Sequence, residues 1–199
     1  MNEFVLFARP FWINFLILVP FVVYFIWRKS GILFTKKIMI LLALFGIAFG
    51  VTEASAIIYL RTPFGLLPGY NQNLDEVVNL SASIHDQAQL VAKLPKSLYV
   101  VEFIRQVATM IMLISIAMIS ACRWSERFAA FLWTFAVWDI SYYIAFWAFI
   151  GWPSSLLDYD FLFLVPVPWY SQVWYPLLVS ALSIIAILML RKAGNNSSL

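Results

Sequence analysis

Residues 38–60 read IMILLALFGIAFGVTEASAIIYL, an apolar stretch in which Glu53 is the single charged side chain. A helix needs about 20 apolar residues to cross a hydrocarbon core roughly 30 Å thick. Four more apolar stretches of comparable length lie at 11–27, 100–121, 128–149 and 174–190. The sequence therefore predicts an all-α integral membrane protein, a bundle of five transmembrane helices forming one domain over residues 1–199.

The composition agrees with a membrane location. Hydrophobic residues make up 63% of the chain and charged residues 12%, with a mean hydropathy of +0.88, outside the range of soluble domains. The chain has one cysteine, Cys122, and one histidine, His85, which excludes an internal disulfide and any metal site built from several such ligands. No basic patch with interleaved aromatic residues is present, so we expect no nucleic-acid partner.

The basic residues at the helix ends predict the orientation, because cytoplasmic loops retain Lys and Arg. One predicted side carries Arg28, Lys29, Lys36, Lys37, Arg123, Arg127, Arg191 and Lys192. The other side carries Arg9, Arg61, Lys93 and Lys96. The N-terminus is therefore predicted outside and the C-terminus in the cytoplasm, with the first stretch retained as an anchor.

The segment between the second and third stretches is long enough to carry structure of its own. Asn73 followed by Glu76 is typical of a helix start. Apolar positions then recur at helical spacing, which predicts an outer amphipathic helix over residues 74–94. His85 falls on its apolar face, where it is either a packed, hydrogen-bonded histidine or a ligand and proton-transfer group.

The connection at 151–169 contains an apolar run, 161–167, that is too short to span the membrane and is bordered by prolines. We expect it to lie in the interface or to dip in against protein. Trp152 and Trp169 are predicted members of an aromatic belt at headgroup depth. Asp158 and Asp160 form a D-x-D pair that either holds a divalent cation or is simply solvated.

Several short elements of the last third of the chain resemble bacterial integral membrane proteins of unassigned function. These elements are Trp138-Asp139, Tyr142-Tyr143, Trp152-Pro153-x-Ser155 and Leu162-Phe163-Leu164-x-Pro166-x-Pro168-Trp169. The resemblance implies a multi-pass protein of the bacterial inner (cytoplasmic) membrane. It implies no activity, substrate or cofactor.

Ionisable residues within the predicted helices are the candidate site, since a charge at the bilayer centre costs about 2.5–3.5 kcal/mol. Glu102, Arg105, Gln106 and Thr109 share one face of the third helix and form a polar stripe. Gly46 and Gly50 share a face with Glu53, so a neighbouring helix is expected to approach there. Asp139 lies near the middle of the fourth helix with tyrosines one turn outward.

Three roles are predicted for these residues. Glu53, Glu102, Arg105 and Gln106 would bind a ligand, with Arg105 orienting an anionic group. Asp139 would move a proton while Tyr142 and Tyr143 donate to developing charge. Alternatively, one divalent cation such as calcium, magnesium or manganese would be held by Glu53, Glu102, Asp139 and His85.

This pattern favours a small membrane protein whose outward-facing site binds a metal ion or a small or lipidic ligand, with or without catalysis. The alternative is an accessory subunit of a larger membrane complex or a homo-oligomer, in which an Arg105-centred network only fixes helix packing. A transporter or channel ranks third, because the sequence shows no internal repeat. The lipid bilayer is a partner in every reading.

Overall fold

The computed structural model describes residues 4–61, 96–163 and 167–197, and most of them are helical. A 3₁₀ helix, Phe11–Leu18, runs directly into α1, Val19–Trp27. The longer helices are α2 (Lys36–Arg61), α3 (Lys96–Ser120), α4 (Trp124–Ile150) and α5 (Trp174–Ser197). These four are long and apolar enough to cross a membrane, which indicates a multi-pass membrane protein. The predicted amphipathic helix and His85 lie outside the described residues.

The helix bounds follow the predicted stretches with local differences. Four stretches become single α-helices that extend a few residues beyond one or both predicted ends, whereas the first stretch is split between a 3₁₀ and an α-helical part. Pro20 lies in the first turn of α1, where a missing backbone N–H removes no helical hydrogen bond. The split therefore coincides with the position at which proline is tolerated.

Helix α4 is the central helix, with α2, α3 and α5 packed around it. Two glycines bring α2 against it. A Cβ atom added at Gly50 would lie 2.7 Å from the backbone oxygen of Trp138, and one at Gly46 would lie 3.0 Å from that of Thr134. Ala54, one turn further along, is fully buried. Small residues four apart thus let the two backbones touch, as the sequence predicted for this face.

A β-hairpin joins α4 to α5. Strand β1 (Tyr159–Phe163) pairs antiparallel with β2 (Trp169–Gln172), with an irregularity between Phe161 and Phe163. The ring of Phe163 lies 6.1 Å from that of Trp138, in the middle of α4. Non-helical backbone is tolerated at membrane depth only when protein surrounds it. The hairpin therefore dips in against the bundle, and the all-α expectation did not contain it.

Trp152 is a core residue rather than a member of the predicted aromatic belt. It is 1% exposed and its ring centroid lies 5.0 Å from that of Phe146. Together with Val173 and Ile58 these rings form the buried cluster at the hairpin end of the bundle. The loop around Pro153 turns the chain back over α4, so the indole is covered by protein and not by headgroups.

Most of the basic residues lie at the opposite end of the bundle. The backbone N–H of Ile32 donates to the oxygen of Leu190 (3.2 Å), and Arg191 Nε donates to the oxygen of Phe34 (2.9 Å). Glu126 Oε1 accepts from the N–H of Leu33 at 3.4 Å. These contacts hold the 28–37 connection beside the start of α4 and the end of α5. The predicted basic side is thus one physical end of the molecule.

Candidate functional site

An ion-pair cluster joins α2 to α3. Arg105 donates from Nε to Glu102 Oε2 (2.7 Å) and from Nη2 to Glu102 Oε1 (2.5 Å), while Nη1 donates to Glu53 Oε2 (2.5 Å). The side chains of Glu53 and Glu102 are 12% and 6% exposed. This forked geometry suits a planar guanidinium. The predicted pairing of Arg105 with these carboxylates is present.

The polar stripe predicted on the third helix is also present. Glu102, Gln106 and Thr109 are all buried, and Gln106 Nε2 donates to Glu102 Oε1 at 3.1 Å. All three guanidinium nitrogens of Arg105 already donate to carboxylates. The role predicted for Arg105 in orienting an anionic ligand group stays a prediction.

Asp139 lies in a different environment from the Arg105 cluster. Its Oδ2 accepts a hydrogen bond from the hydroxyl of Ser180 on α5 at 2.8 Å. No ion pair to Asp139 is present among the described residues. The four ionisable residues grouped by the sequence thus divide into an ion-pair cluster of Arg105 with two carboxylates between α2 and α3, and a carboxylate held between α4 and α5.

The two tyrosines next to Asp139 donate to another carboxylate. Tyr143 Oη donates to Asp160 Oδ2 at 3.2 Å and Tyr142 Oη to the same oxygen at 3.4 Å. Asp160 is on β1 and is 1% exposed. The sequence singled out Asp160 only as half of a D-x-D pair and did not single out Ser180. The short apolar run predicted that this connection could dip in against protein, but no sequence signal indicated the strand pairing that places Asp160 beside the tyrosines.

Asp158 and Asp160 accept hydrogen bonds from different partners. Asp158 Oδ2 accepts from the backbone N–H groups of Ser154 (2.8 Å) and Ser155 (3.0 Å) and from the Ser154 hydroxyl (2.9 Å). It therefore stabilises the turn that precedes β1. The two carboxylates are 7% and 1% exposed, so the expectation that they are solvated is wrong.

Both groups of polar residues reach a cavity of about 90 Å³ beneath the hairpin. The lining residues with polar side-chain atoms are Glu53, Gln106, Trp138, Asp139, Tyr142, Tyr143, Asp160, Trp169 and Tyr175. Gln106 and Glu53 come from the Arg105 cluster, whereas the others come from α4, the hairpin and α5. The tertiary structure thus brings most of the predicted site residues together around one cavity. Arg105 and Glu102 do not line this cavity but are bonded to residues that do.

An apolar groove of about 540 Å³ adjoins this cavity. Five residues line both spaces, namely Gln106, Phe135, Phe163, Trp169 and Val179. Apart from Gln106, Ser183 and the indole nitrogen of Trp169, the lining of the groove is hydrocarbon or aromatic. The polar cavity therefore lies next to the apolar groove, which is on the side of the bundle formed by α3, α4, α5 and the first helical segment.

Two tryptophans that line the cavity have buried indole N–H groups without an acceptor among the described residues. These are Trp138, which is 6% exposed, and Trp169. A buried donor left unpaired costs free energy. Both indoles can therefore donate to an oxygen that enters the cavity, and Trp169 can do so at its junction with the groove.

Metal binding stays a prediction. The described residues contain no group of three or more His, Cys, Asp or Glu side chains that could hold a metal ion. Glu53 and Glu102 are both paired with Arg105, and His85 lies outside the described residues. The roles predicted for Asp139, Tyr142 and Tyr143 in proton transfer likewise stay predictions.

Comparison of the chain with models of protein families, with curated proteins and with solved structures finds no match.

Proposed function

We propose that this protein binds an amphiphilic small molecule or lipid, with the polar head in the cavity beneath the hairpin and the hydrocarbon part in the adjoining groove. The observation that carries the proposal is that the cavity and the groove are neighbours with five lining residues in common. A membrane protein whose charged residues served only helix packing would not need a polar cavity beside an apolar groove. Ligand pockets characteristically combine such apolar walls with a few convergent polar groups.

The charged residues have two different roles in this proposal, helix packing and recognition of the ligand head. The Arg105 cluster fixes α2 against α3 and holds Glu53 at the cavity wall. Asp139 and Asp160 supply acceptor oxygens, each held in place by hydroxyl donors from Ser180 or from the tyrosines. Preorganised acceptors of this kind fix the orientation of a bound head.

The site faces the outer side in the proposed topology, because the hairpin lies at the end of the bundle opposite the basic residues. Five crossings are proposed. The 3₁₀ segment has 8 residues and α1 has 9. At about 2.0 and 1.5 Å of rise per residue, together they extend roughly 30 Å, enough for one hydrocarbon core.

The test is to purify the full chain in a mild detergent and to identify retained small molecules by native mass spectrometry. Val179 lines both the cavity and the groove, so Val179→Trp should fill their junction and abolish retention. Ile119→Trp is the matched control, because Ile119 is 82% exposed on α3 and a bulky side chain there meets only the surroundings. Metal analysis of the same preparation tests the divalent cation.

Retention by the wild type and by Ile119→Trp, but not by Val179→Trp, supports the proposal. Equal retention by all three proteins would mean that the bound molecules are peripheral lipids. A wild-type protein that carries nothing and remains intact only together with other membrane subunits would favour the accessory-subunit alternative instead.

A further inference from the structure

We infer that the head recognised by this cavity is a cationic ammonium group, carried on a hydrocarbon chain that lies in the groove. The inference rests on the proposed function and adds the chemical class of the ligand. The same head chemistry occurs in free hydrophobic amines and in lipids with amine headgroups. Three observations on the cavity wall point to this class.

The first observation is the sign of the charge around the cavity. Glu53, Asp139 and Asp160 line it, and no Lys, Arg or His is among the described lining residues. Behind the wall Arg105 is shared between Glu53 and Glu102. Carboxylates therefore outnumber cations, and at low dielectric an anionic head would meet like charge whereas an ammonium head would offset it.

The second observation is the aromatic wall. The rings of Tyr142 and Tyr143 meet edge to face at 5.0 Å, and Trp138 lies 6.1 Å from Phe163. Phe163 in turn lies 5.5 Å from Trp169. Rings of this kind around a carboxylate are the setting in which proteins hold quaternary and primary ammonium groups through cation–π attraction.

The third observation concerns the buried indole donors. Trp138 is more than nine-tenths buried and lines the cavity, yet its N–H has no acceptor among the described residues. The N–H of Trp169 is in the same situation at the junction with the groove. An ester, amide or hydroxyl oxygen placed between the head and the chain would satisfy such donors.

The experiment uses photoreactive probes that share one dodecyl chain bearing a diazirine and differ only in the head. The heads are trimethylammonium, hydroxyl and phosphate. The full chain in a neutral glycoside detergent is labelled over a range of probe concentrations, and the labelled peptides of α3 and α5 that line the groove are quantified. Unlabelled dodecyltrimethylammonium and tetramethylammonium are used as competitors.

We expect saturable labelling by the ammonium probe at a concentration about tenfold or more below that of the phosphate probe. Asp139→Asn should reduce this preference because the amide keeps the shape and removes the charge. Glu126→Gln is the matched control, because Glu126 lies at the other end of α4, and it should retain the preference. Circular dichroism of each variant checks folding, and the comparison of heads on the wild type needs no variant.

Each alternative result has a distinct meaning. Saturable labelling that is independent of the head, or tighter for phosphate, would overturn the ammonium assignment while leaving the proposed function standing. The absence of saturable labelling by every probe would overturn both. Equal competition by tetramethylammonium and its dodecyl analogue would overturn the placement of the chain in the groove.

A second experiment distinguishes a lipid with an amine headgroup from a free hydrophobic amine as the natural occupant. In it, the detergent is exchanged for nanodiscs of phosphatidylethanolamine or of phosphatidylglycerol. Loss of probe labelling only in the former identifies a lipid headgroup as the occupant, and no loss in either supports a free amine.

Discussion

Replacing Arg105 by alanine would leave the buried carboxylate of Glu102 and the partly buried carboxylate of Glu53 without their cation. The structure gives three N–H to oxygen contacts from this guanidinium to Glu53 and Glu102, whose side chains are 12% and 6% exposed. Removing one partner of a buried ion pair costs about 3–5 kcal/mol, most of it the penalty of the stranded charges. Arg105→Lys keeps the charge but loses the fork, so a smaller loss is expected.

The measurement is reversible unfolding in mixed micelles of mild detergent and dodecyl sulfate, followed by circular dichroism. The comparison variant is Arg123→Ala, whose guanidinium is 56% exposed and 3.9 Å from Glu126, so about 0–1 kcal/mol is expected. A triple variant, Arg105→Met with Glu53→Gln and Glu102→Gln, removes every charge and should recover most of the lost stability. A loss for Arg105→Ala no larger than that for Arg123→Ala would refute the reasoning.

Three further predictions test the packing, the hairpin and the orientation. Gly50→Ala should destabilise the bundle by about 1–3 kcal/mol in the same unfolding assay. Gly46→Ala should destabilise it less, because the added Cβ would lie 3.0 Å from the nearest backbone oxygen of α4, compared with 2.7 Å at Gly50. Equal losses would contradict the close approach. Asp158→Ala removes the acceptor of two backbone N–H groups. It should lower the free energy of unfolding by about 1.5–3 kcal/mol, measured by thermal unfolding. An unchanged midpoint would show that water replaces the carboxylate. Single cysteines at Ser83 and Ser197 in a Cys122→Ser background should be modified by an impermeant reagent on intact cells only at position 83, and modification only at 197 would reverse the topology.

The spans were predictable because a transmembrane helix is specified by a local property. A continuous apolar stretch leaves its backbone no partner in lipid other than itself, so helix and position follow from composition alone. The glycine face of α2 was predictable for a similar reason, since residues four apart must share one side of a helix. The pairing of Arg105 with Glu102 was predictable as well, because the two residues are three positions apart and lie one turn from each other on the same helix.

The placement of Asp160 depends on tertiary structure. A strand of five residues inside a largely helical membrane protein has no periodic signal strong enough to separate it from an apolar loop. Once the hairpin lies against α4, Asp160 receives the hydroxyls of Tyr142 and Tyr143, which the sequence assigned to the neighbourhood of Asp139. Ser180 was missed because one serine among apolar residues looks the same whether it faces lipid or a carboxylate.

The sequence by itself determined that the chain is a helical membrane protein, that most of its basic residues lie at one end, and that Glu53, Glu102, Arg105 and Asp139 are charges within its predicted helices. These properties depend on composition and short-range periodicity. Only the tertiary structure decided that Arg105 is shared between Glu53 and Glu102, that Asp139 accepts a hydrogen bond from Ser180, and that a polar cavity adjoins an apolar groove. Contacts between helices depend on how each helix is rotated and how deeply the hairpin inserts, and no single segment encodes either quantity.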